Sequence, residues 1–385
     1  MDSLIERAYA LMKELIAIQS VSQNEKDAAV YLAPVLEKIG FSVQVKTLEG
    51  CSTNVIGIKE GRSSRKLLLG GHIDVVAPGE GWHSDPYRLT EKNGRLYGRG
   101  VLDMKGGLAC QIAVLETLYA EGALEDMNIE LVGLCDEERY SIGAADYCAE
   151  LLTSDRKKPD FGIFAEPHFD EIVIGATGKA LLKLTVTGKT GHAAHPESGI
   201  NAVENMASFL TALGSKYMRL YETGRSGSMA VLQVENPYEG YSLNIPDQCS
   251  CLLSKQLLPK ESAAQFEEDL QIVFAESAKG QLRIERQIPS YSSYVLDKND
   301  ADIILLKTIA EKARGLKIRC AVNQSVSDAN VMWEKLGMPV VLYGLNGKRL
   351  HEADEYVEIA SAVQYMADMR AFVIAFFEEN GYGCL

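Results

Sequence analysis

The sequence predicts an α/β fold, with a large α/β domain into which a smaller α+β domain is inserted. Three observations carry this reading. Up to about residue 177, short apolar strands alternate with helical stretches; across residues 175–178 the strands become half-exposed in pattern; after Tyr291 the α/β alternation returns. These shifts place the domain boundaries at residues 1–177, 178–294 and 295–385.

Residues 1–20 interleave Leu4, Ala8, Leu11, Leu15 and Ile18 with Glu6, Arg7, Lys13 and Glu14, the pattern of an amphipathic helix and not of a signal peptide. Apolar runs at 41–47, 54–58, 66–69, 129–134 and 161–164 read as strands. After Lys105, the residues Leu108, Ile112, Leu115 and Leu118 recur at helical spacing as far as Gly122, giving a helix that packs on the sheet. In the insert, 181–187 alternates as a half-exposed strand. Residues 201–213 follow as a helix, 229–234 and 248–253 as strands, and 263–278 as a helix, an order that suits an α+β sandwich. Helices near 301–313 and 329–335, a strand at 339–343 and a long terminal helix complete the chain.

At 385 residues and 46% apolar content the chain has material for two cores. A formal charge of -14 opposes binding to nucleic acid or anionic lipid, both of which need a cationic surface, so the expected partner is a small molecule. Eight cysteines (51, 110, 135, 148, 249, 251, 320 and 384) show no Cys-x-x-Cys pair and several sit in apolar runs, which points to reduced thiols and a cytoplasmic protein. No apolar run reads as long enough to span a membrane.

Five segments concentrate the chemistry: Gly71-His72-Ile73-Asp74, Gly98-Arg99-Gly100-Val101-Leu102-Asp103-Met104-Lys105, Asp136-Glu137-Glu138, Ala165-Glu166-Pro167, and Leu350-His351-Glu352 with Asp354-Glu355. The last three each follow or flank an apparent buried strand, where parallel sheets place their functional groups. Imidazoles and carboxylates from separate segments are the donors of a two-zinc site. His72 and Asp74 are two apart, so in extended chain they face the same way and Asp74 can orient the ring; the alternative is a satisfied core histidine. Gly98-x-Gly100 is no dinucleotide loop, because Asp103 stands where the third glycine belongs and would repel a pyrophosphate. Glu137 and Glu138, if extended, project to opposite sides, so one can bind metal while the other acts as general base; a solvated acidic turn is the alternative.

Taken in order, these motifs resemble the dinuclear zinc metallopeptidase and deacylase family that contains acetylornithine deacetylase, succinyl-diaminopimelate desuccinylase, carboxypeptidase G and aminoacylase, and the resemblance covers essentially the whole chain. It implies a catalytic α/β/α domain with a mixed central sheet and an inserted lid and dimerisation domain, hence a homodimer. It implies two Zn2+ per chain, with Co2+ or Mn2+ as alternatives: His72 and Glu166 on one ion, Glu138 and His351 on the other, Asp103 bridging. Glu137 would be the base, and the Asp103–Met104 peptide would be cis. In Gly191-His192, His192 would cross to the partner's active site and polarise the scissile carbonyl. Asn244 falls where the family has a second lid contact, although a turn asparagine before a proline is an equal reading.

The chain departs from the family in places. Lys179 stands where dicarboxylate-specific members carry an arginine, and a lysine lacks the bidentate fork for a carboxylate. The turn before Asp328 is Gln324-Ser325-Val326-Ser327, and the approach to the last histidine is Gly344-Leu345-Asn346-Gly347. His168 and His195 have no assigned role. The implied function is a zinc-dependent amidohydrolase of N-acyl amino acids, of the acetylornithine deacetylase or desuccinylase type. A dipeptidase or carboxypeptidase acting on short peptides is the alternative. A non-catalytic binding protein would have no need of Glu137, and a serine hydrolase would need a Gly-x-Ser-x-Gly elbow that is absent.

Overall fold

The computed structural model of the chain describes residues 2–238, 240 and 242–378, so Cys384 lies outside the described residues. It divides into two compact units. The first is built from the chain up to Gly175, Leu296–Asn323 and the residues from Ser327 onward; the second is Ala176–Val295 with Gln324–Val326.

In the first unit the central sheet runs in the order Ser42–Thr47, Thr53–Lys59, Asn128–Leu134, Lys66–His72, Phe161–Phe164, Val340–Leu342 and Glu171–Ala176. Its four middle strands are mutually parallel, with Leu69 opposite Leu131 and Ile163, and Ile163 opposite Val341. Antiparallel partners flank them on both sides. Strands Lys66–His72 and Phe161–Phe164 are buried throughout, which is why they read as unbroken apolar runs and not as alternating ones.

Helix Lys105–Ala120 is buried over most of its circumference and packs against the Asp2–Ala17 and Ile359–Phe377 helices. Its first side chain reaches back to close the end of a neighbour. The buried Lys105 ammonium donates to the carbonyls of Leu15 (3.0 Å) and Ile18 (2.9 Å), groups that a helix C-terminus leaves without partners. Further along, Gln111 accepts the Gly70 N–H (2.7 Å) and donates to the Ile163 carbonyl (3.2 Å) and the Tyr365 hydroxyl (2.9 Å). One side chain thereby ties two parallel strands to each other and to the terminal helix.

Two features differ from the sequence reading. Helix Ile359–Phe377 is, by length and composition, apolar enough to cross a bilayer, whereas no such run was expected. Half of it is buried within the protein, and Asp368 on its inner face is bound by Arg314 (2.8 Å) and Tyr343 (2.6 Å), so here it serves as a core helix. Helices Lys26–Glu37 and Ile142–Thr153 also appear, as does a small antiparallel sheet ordered Gly347–Lys348, Tyr356–Glu358, Arg95–Tyr97 and Thr90–Lys92.

The second unit holds a four-stranded antiparallel sheet, ordered Met229–Glu235, Gln248–Leu257, Gly178–Thr187 and Gln281–Tyr291. Helices Ala202–Glu222 and Ala263–Ser277 cover one face around a core that includes Leu182, Leu184, Phe209, Leu253, Leu270 and Phe274. Asn201 caps the first helix through the N–H groups of Val203 and Glu204, and Ser262 caps the second through Gln265. The first helix extends past residue 213, where the sequence pattern alone ended it, to Glu222.

Replacing Gln111 by alanine strands the Gly70 N–H and the Ile163 carbonyl in the core. The expected result is a loss of about 2–3 kcal/mol of stability, read as a lower denaturant midpoint with an unchanged slope.

Candidate metal centre

The carboxyl ends of the parallel strands lie along one edge of the central sheet, with His72 opposite Leu134 and Gly70 opposite Phe164. The chain therefore leaves neighbouring strands directly into the segments that carry His72 and Asp74, Glu137 and Glu138, and Glu166. His351 arrives from the loop between strands Gly347–Lys348 and Tyr356–Glu358.

Asp103 lies between the two imidazoles. Its Oδ1 is 3.1 Å from His72 Nε2 and its Oδ2 is 3.1 Å from His351 Nε2. His72 Nε2 is also 3.7 Å from Glu166 Oε1, and His351 Nε2 is 3.0 Å from Glu138 Oε1. Ligand atoms of His72, Asp103 and Glu138 fall within 4.8 Å of one another. The structure thus brings His72, Asp103, Glu138, Glu166 and His351 into one cluster, sorted into two pairs with Asp103 in the middle.

Asp74 faces the His72 ring and also does a second job. His72 Nδ1 lies 3.0 Å from the Asp74 main-chain carbonyl and 3.5 Å from its carboxylate, so the backbone is the nearer partner of the ring. The carboxylate itself accepts the N–H groups of Glu137 (3.1 Å) and Glu138 (3.2 Å) and the Ser22 hydroxyl (2.8 Å). This is possible because residues 137–140 form a turn and not extended chain. Asp136 takes a left-handed φ of 63°, and its carbonyl accepts the N–H groups of Tyr140 and Ser141. Asp74 is therefore a clamp on the backbone of both glutamates.

The loop that presents Asp103 is shaped by the last residue of the His351 segment, to which the motifs assign no role. Glu355, fully buried, accepts N–H groups from Gly100 (3.1 Å), Leu102 (2.8 Å) and Asp103 (3.1 Å), and pairs with the buried Arg99 guanidinium at 2.5 Å. Gly100, at φ 85°, has no room for a Cβ, which would come 2.7 Å from Val75. The peptide bond after Asp103 is cis. No spacing rule finds Glu355; the only trace is an acid at the start of a buried strand.

So many acids in so little water disturb one another. Burial, followed by the charge of Asp103, pushes Glu166 up to about 8. Burial also lifts Glu137 well above the carboxylate range, and lifts Asp328, whose carboxylate is fully buried nearby, to about 7. Hydrogen bonds to Asp103 and Glu138 raise His351 to about 10. Burial opposes charge on His72, yet its contacts with Asp103 and Asp74 prevail and hold it well above the usual imidazole range. Without metal the cluster keeps protons to limit its negative charge. Divalent cations can take the place of those protons, and mixed imidazole and carboxylate donors with one carboxylate facing both sides fit a dinuclear site.

The family model described as peptidase family M20/M25/M40 matches residues 68–375. The chain belongs to that family. A succinyl-diaminopimelate desuccinylase from Methylobacterium sp. (strain 4-46) is 29% identical over 383 residues, covering 96% of each chain. Among solved structures, a tripeptidase from Staphylococcus aureus superposes with a TM-score of 0.74 at 20% identity, covering 96% of this chain and 97% of the other. A dinuclear metal-binding M20 peptidase from Bacillus subtilis superposes with a TM-score of 0.73 at 15% identity, covering 98% and 99%. As an M20/M25/M40 member the chain is a metal-dependent hydrolase of amide or peptide bonds, with the mixed-sheet α/β fold that the resemblance implies.

The remaining candidates lie in the second unit. His192 and Asn244 meet there across an isolated antiparallel bridge, and both are exposed. His192 Nδ1 accepts the Ala194 N–H (3.1 Å), which leaves Nε2 to carry the ring proton. Lys179 is half-buried on strand Gly178–Thr187, opposite Gln256 and Tyr291. His195 is exposed beside Glu197, and in the first unit His168 lies 3.5 Å from Glu171.

Two outcomes are expected. Glu355→Gln keeps the fold but loosens the Asp103 loop, lowering metal affinity about 10–100-fold in a competition titration against a chromophoric chelator. Metal binding at pH 7 releases more than one proton per chain, because burial pushes Glu166 up to about 8 and hydrogen bonds to Asp103 and Glu138 raise His351 to about 10. Calorimetry in buffers of different ionisation enthalpy measures that release, and affinity should fall as the pH is lowered.

Proposed function

We propose that this chain is a cytoplasmic, zinc-dependent amidohydrolase of N-acyl amino acids that works as a homodimer with two Zn2+ per chain. The observation that carries the reading is Asp103, one carboxylate facing two imidazoles, each of which has its own glutamate partner. His72 and Glu166 would hold one ion, Glu138 and His351 the other, and Asp103 both. Cobalt or manganese would fit the same donors. Ions bound there supply Lewis acidity toward the substrate carbonyl and make water a stronger acid.

The chain's own groups would do the rest. Glu137, raised by burial and half-buried beside the ligands, takes a proton from the attacking water and delivers it to the departing nitrogen. Asp74 holds the Glu137 and Glu138 backbones in register, so the base and its neighbouring ligand keep a fixed offset. His192, with its proton on Nε2, donates to the oxyanion; by the family resemblance it does so in the partner's site. Asn244, its bridge partner, contacts substrate, and Lys179 offers a point charge for a substrate carboxylate.

Supporting the deacylase reading is the relationship to a desuccinylase over nearly the full length of both chains. The alternative, a dipeptidase or carboxypeptidase, shares every catalytic residue and is favoured by the loss of an arginine fork at Lys179. The dimer reading is supported by strand Met229–Glu235, an edge strand whose Leu232 and Val234 are exposed. The cytoplasmic reading is supported by Cys51, Cys110, Cys135, Cys148, Cys249, Cys251 and Cys320, all unpaired thiols.

The test is free-amine release by zinc-loaded protein from N-acetylornithine, N-succinyl-diaminopimelate, other N-acyl amino acids and simple dipeptides, with and without a chelator. Turnover of acyl amino acids that is lost with the metal and restored by zinc is expected; a preference for dipeptides makes the chain a peptidase. Glu137→Ala should retain both metals and lose at least about 100-fold in kcat. His192→Ala should lose about 100-fold in kcat with metal content unchanged.

A further inference from the structure

The small sheet of the first unit carries, on one face, a concentration of positive charge that the hydrolytic chemistry leaves unused. Its register aligns Lys348 with Tyr356, Tyr356 with Tyr97, and Tyr97 with Thr90; two residues along, Glu358 stands opposite Arg95 and Arg95 opposite Lys92. Alternate residues share a face, so all of these project to the same side, while Leu96 and Val357 are buried on the other. That side opens into a concave pocket of about 720 Å³ lined by Lys92, Arg95, Lys348 and Arg349, with the rings of Tyr97 and Tyr356, 5.5 Å apart, along one wall.

The charges in this pocket are not balanced locally. Asp354 is engaged by the His83 N–H (2.9 Å), His83 Nδ1 (2.6 Å) and Arg349 (3.0 Å). Arg95 pairs with Glu358 at 3.1 Å and lies over the Tyr356 ring. Among the described residues the ammonium groups of Lys92 and Lys348 make no hydrogen bond or ion pair, and both are exposed. Lys92 and Arg95 are direct cross-strand neighbours, and like charges so placed repel. A chain with 53 acidic and 39 basic residues has ample acids to scatter among its cations, yet gathers four cations in one hollow.

We propose that this pocket is a binding site for a small polyvalent oxyanion, bearing phosphate or carboxylate groups, that is separate from the metal centre. The anion would sit between the Lys92 and Arg95 pair and Lys348 with Arg349, relieving their repulsion and exchanging charge-assisted hydrogen bonds for solvent. Lys92 and Lys348 are the free contacts; Arg95 and Arg349 are already oriented by Glu358 and Asp354.

Calorimetric titration of the metal-loaded, full-length protein with sodium sulfate, at ionic strength held constant with sodium chloride, tests the site with a probe that does not strip metal. Saturable one-to-one binding is expected, weakened at least tenfold in the Lys92→Glu, Lys348→Glu double variant and partly in the Lys92→Gln, Lys348→Gln variant, both keeping metal content and melting temperature. Inorganic phosphate and succinate should each displace sulfate, and their relative affinities separate a phosphate from a carboxylate source. Absence of saturable binding overturns the proposal. So does binding of equal strength in the double variants, which would place sulfate at the metals.

Discussion

Negative charge held out of water is the constraint around which the first unit is arranged. Asp74, Asp103, Glu137, Glu138 and Glu166 converge beyond the ends of buried strands, where an ion without a partner costs several kcal/mol. The protein meets that cost with main-chain hydrogen-bond donors. Asp74 collects the amides of the two glutamates and Glu355 collects those of the Asp103 loop, so each of these buried acids acts on the backbone beneath a candidate ligand. The left-handed turn at Asp136 and the glycine at position 100 exist to aim those amides.

The candidates His72, Glu138 and Glu166 are legible in the sequence because they follow short apolar runs, and a run of buried strand is among the clearest patterns a chain can carry, whereas Asp103 and His351 rest on the family motifs. The pairing of His72 with Glu166 and of His351 with Glu138 came from family resemblance, since residues some 90 and 210 positions apart have no local signal. What supports the ligands was not legible. Glu355 and Ser22 act through contacts made only when distant segments fold together, and the hold of Asp74 on the Glu137 and Glu138 amides stays hidden because strand alternation says nothing of the turn at 137–140. The same limit hid the small sheet, whose strands of two or three residues are too short to show a period. Helix Ile359–Phe377 escapes notice as a long apolar element because Gln364, Asp368 and Arg370 interrupt it, and the partners of Asp368 are visible only in the packed core.

The second unit follows simpler rules. Strand Gln248–Leu257 alternates over most of its length, the helices are capped by Asn201 and Ser262, and the core is mainly aliphatic and aromatic. Sequence periodicity locates both helices and three of the four strands there, but it stops short of the full length of the first helix and of strand Gln248–Leu257 and gives no position for strand Gln281–Tyr291. Its candidate residues, His192 and Asn244, are drawn together by a main-chain bridge, so the geometry of either depends on the other more than on the sheet behind them.

The order of strands in the central sheet has a consequence for how the protein is made. Phe161–Phe164 pairs in parallel with Val340–Leu342, which in turn meets Glu171–Ala176, so a strand synthesised late fills a gap between two synthesised early. At a ribosomal pace of about 5–20 residues per second, roughly 10–35 s separate the two partners. During that interval the whole second unit emerges and can fold, while the edge of Phe161–Phe164 waits with unpaired amides. The window in which nascent chains are open to mispairing or chaperone capture is thus set mostly by the length of the insert.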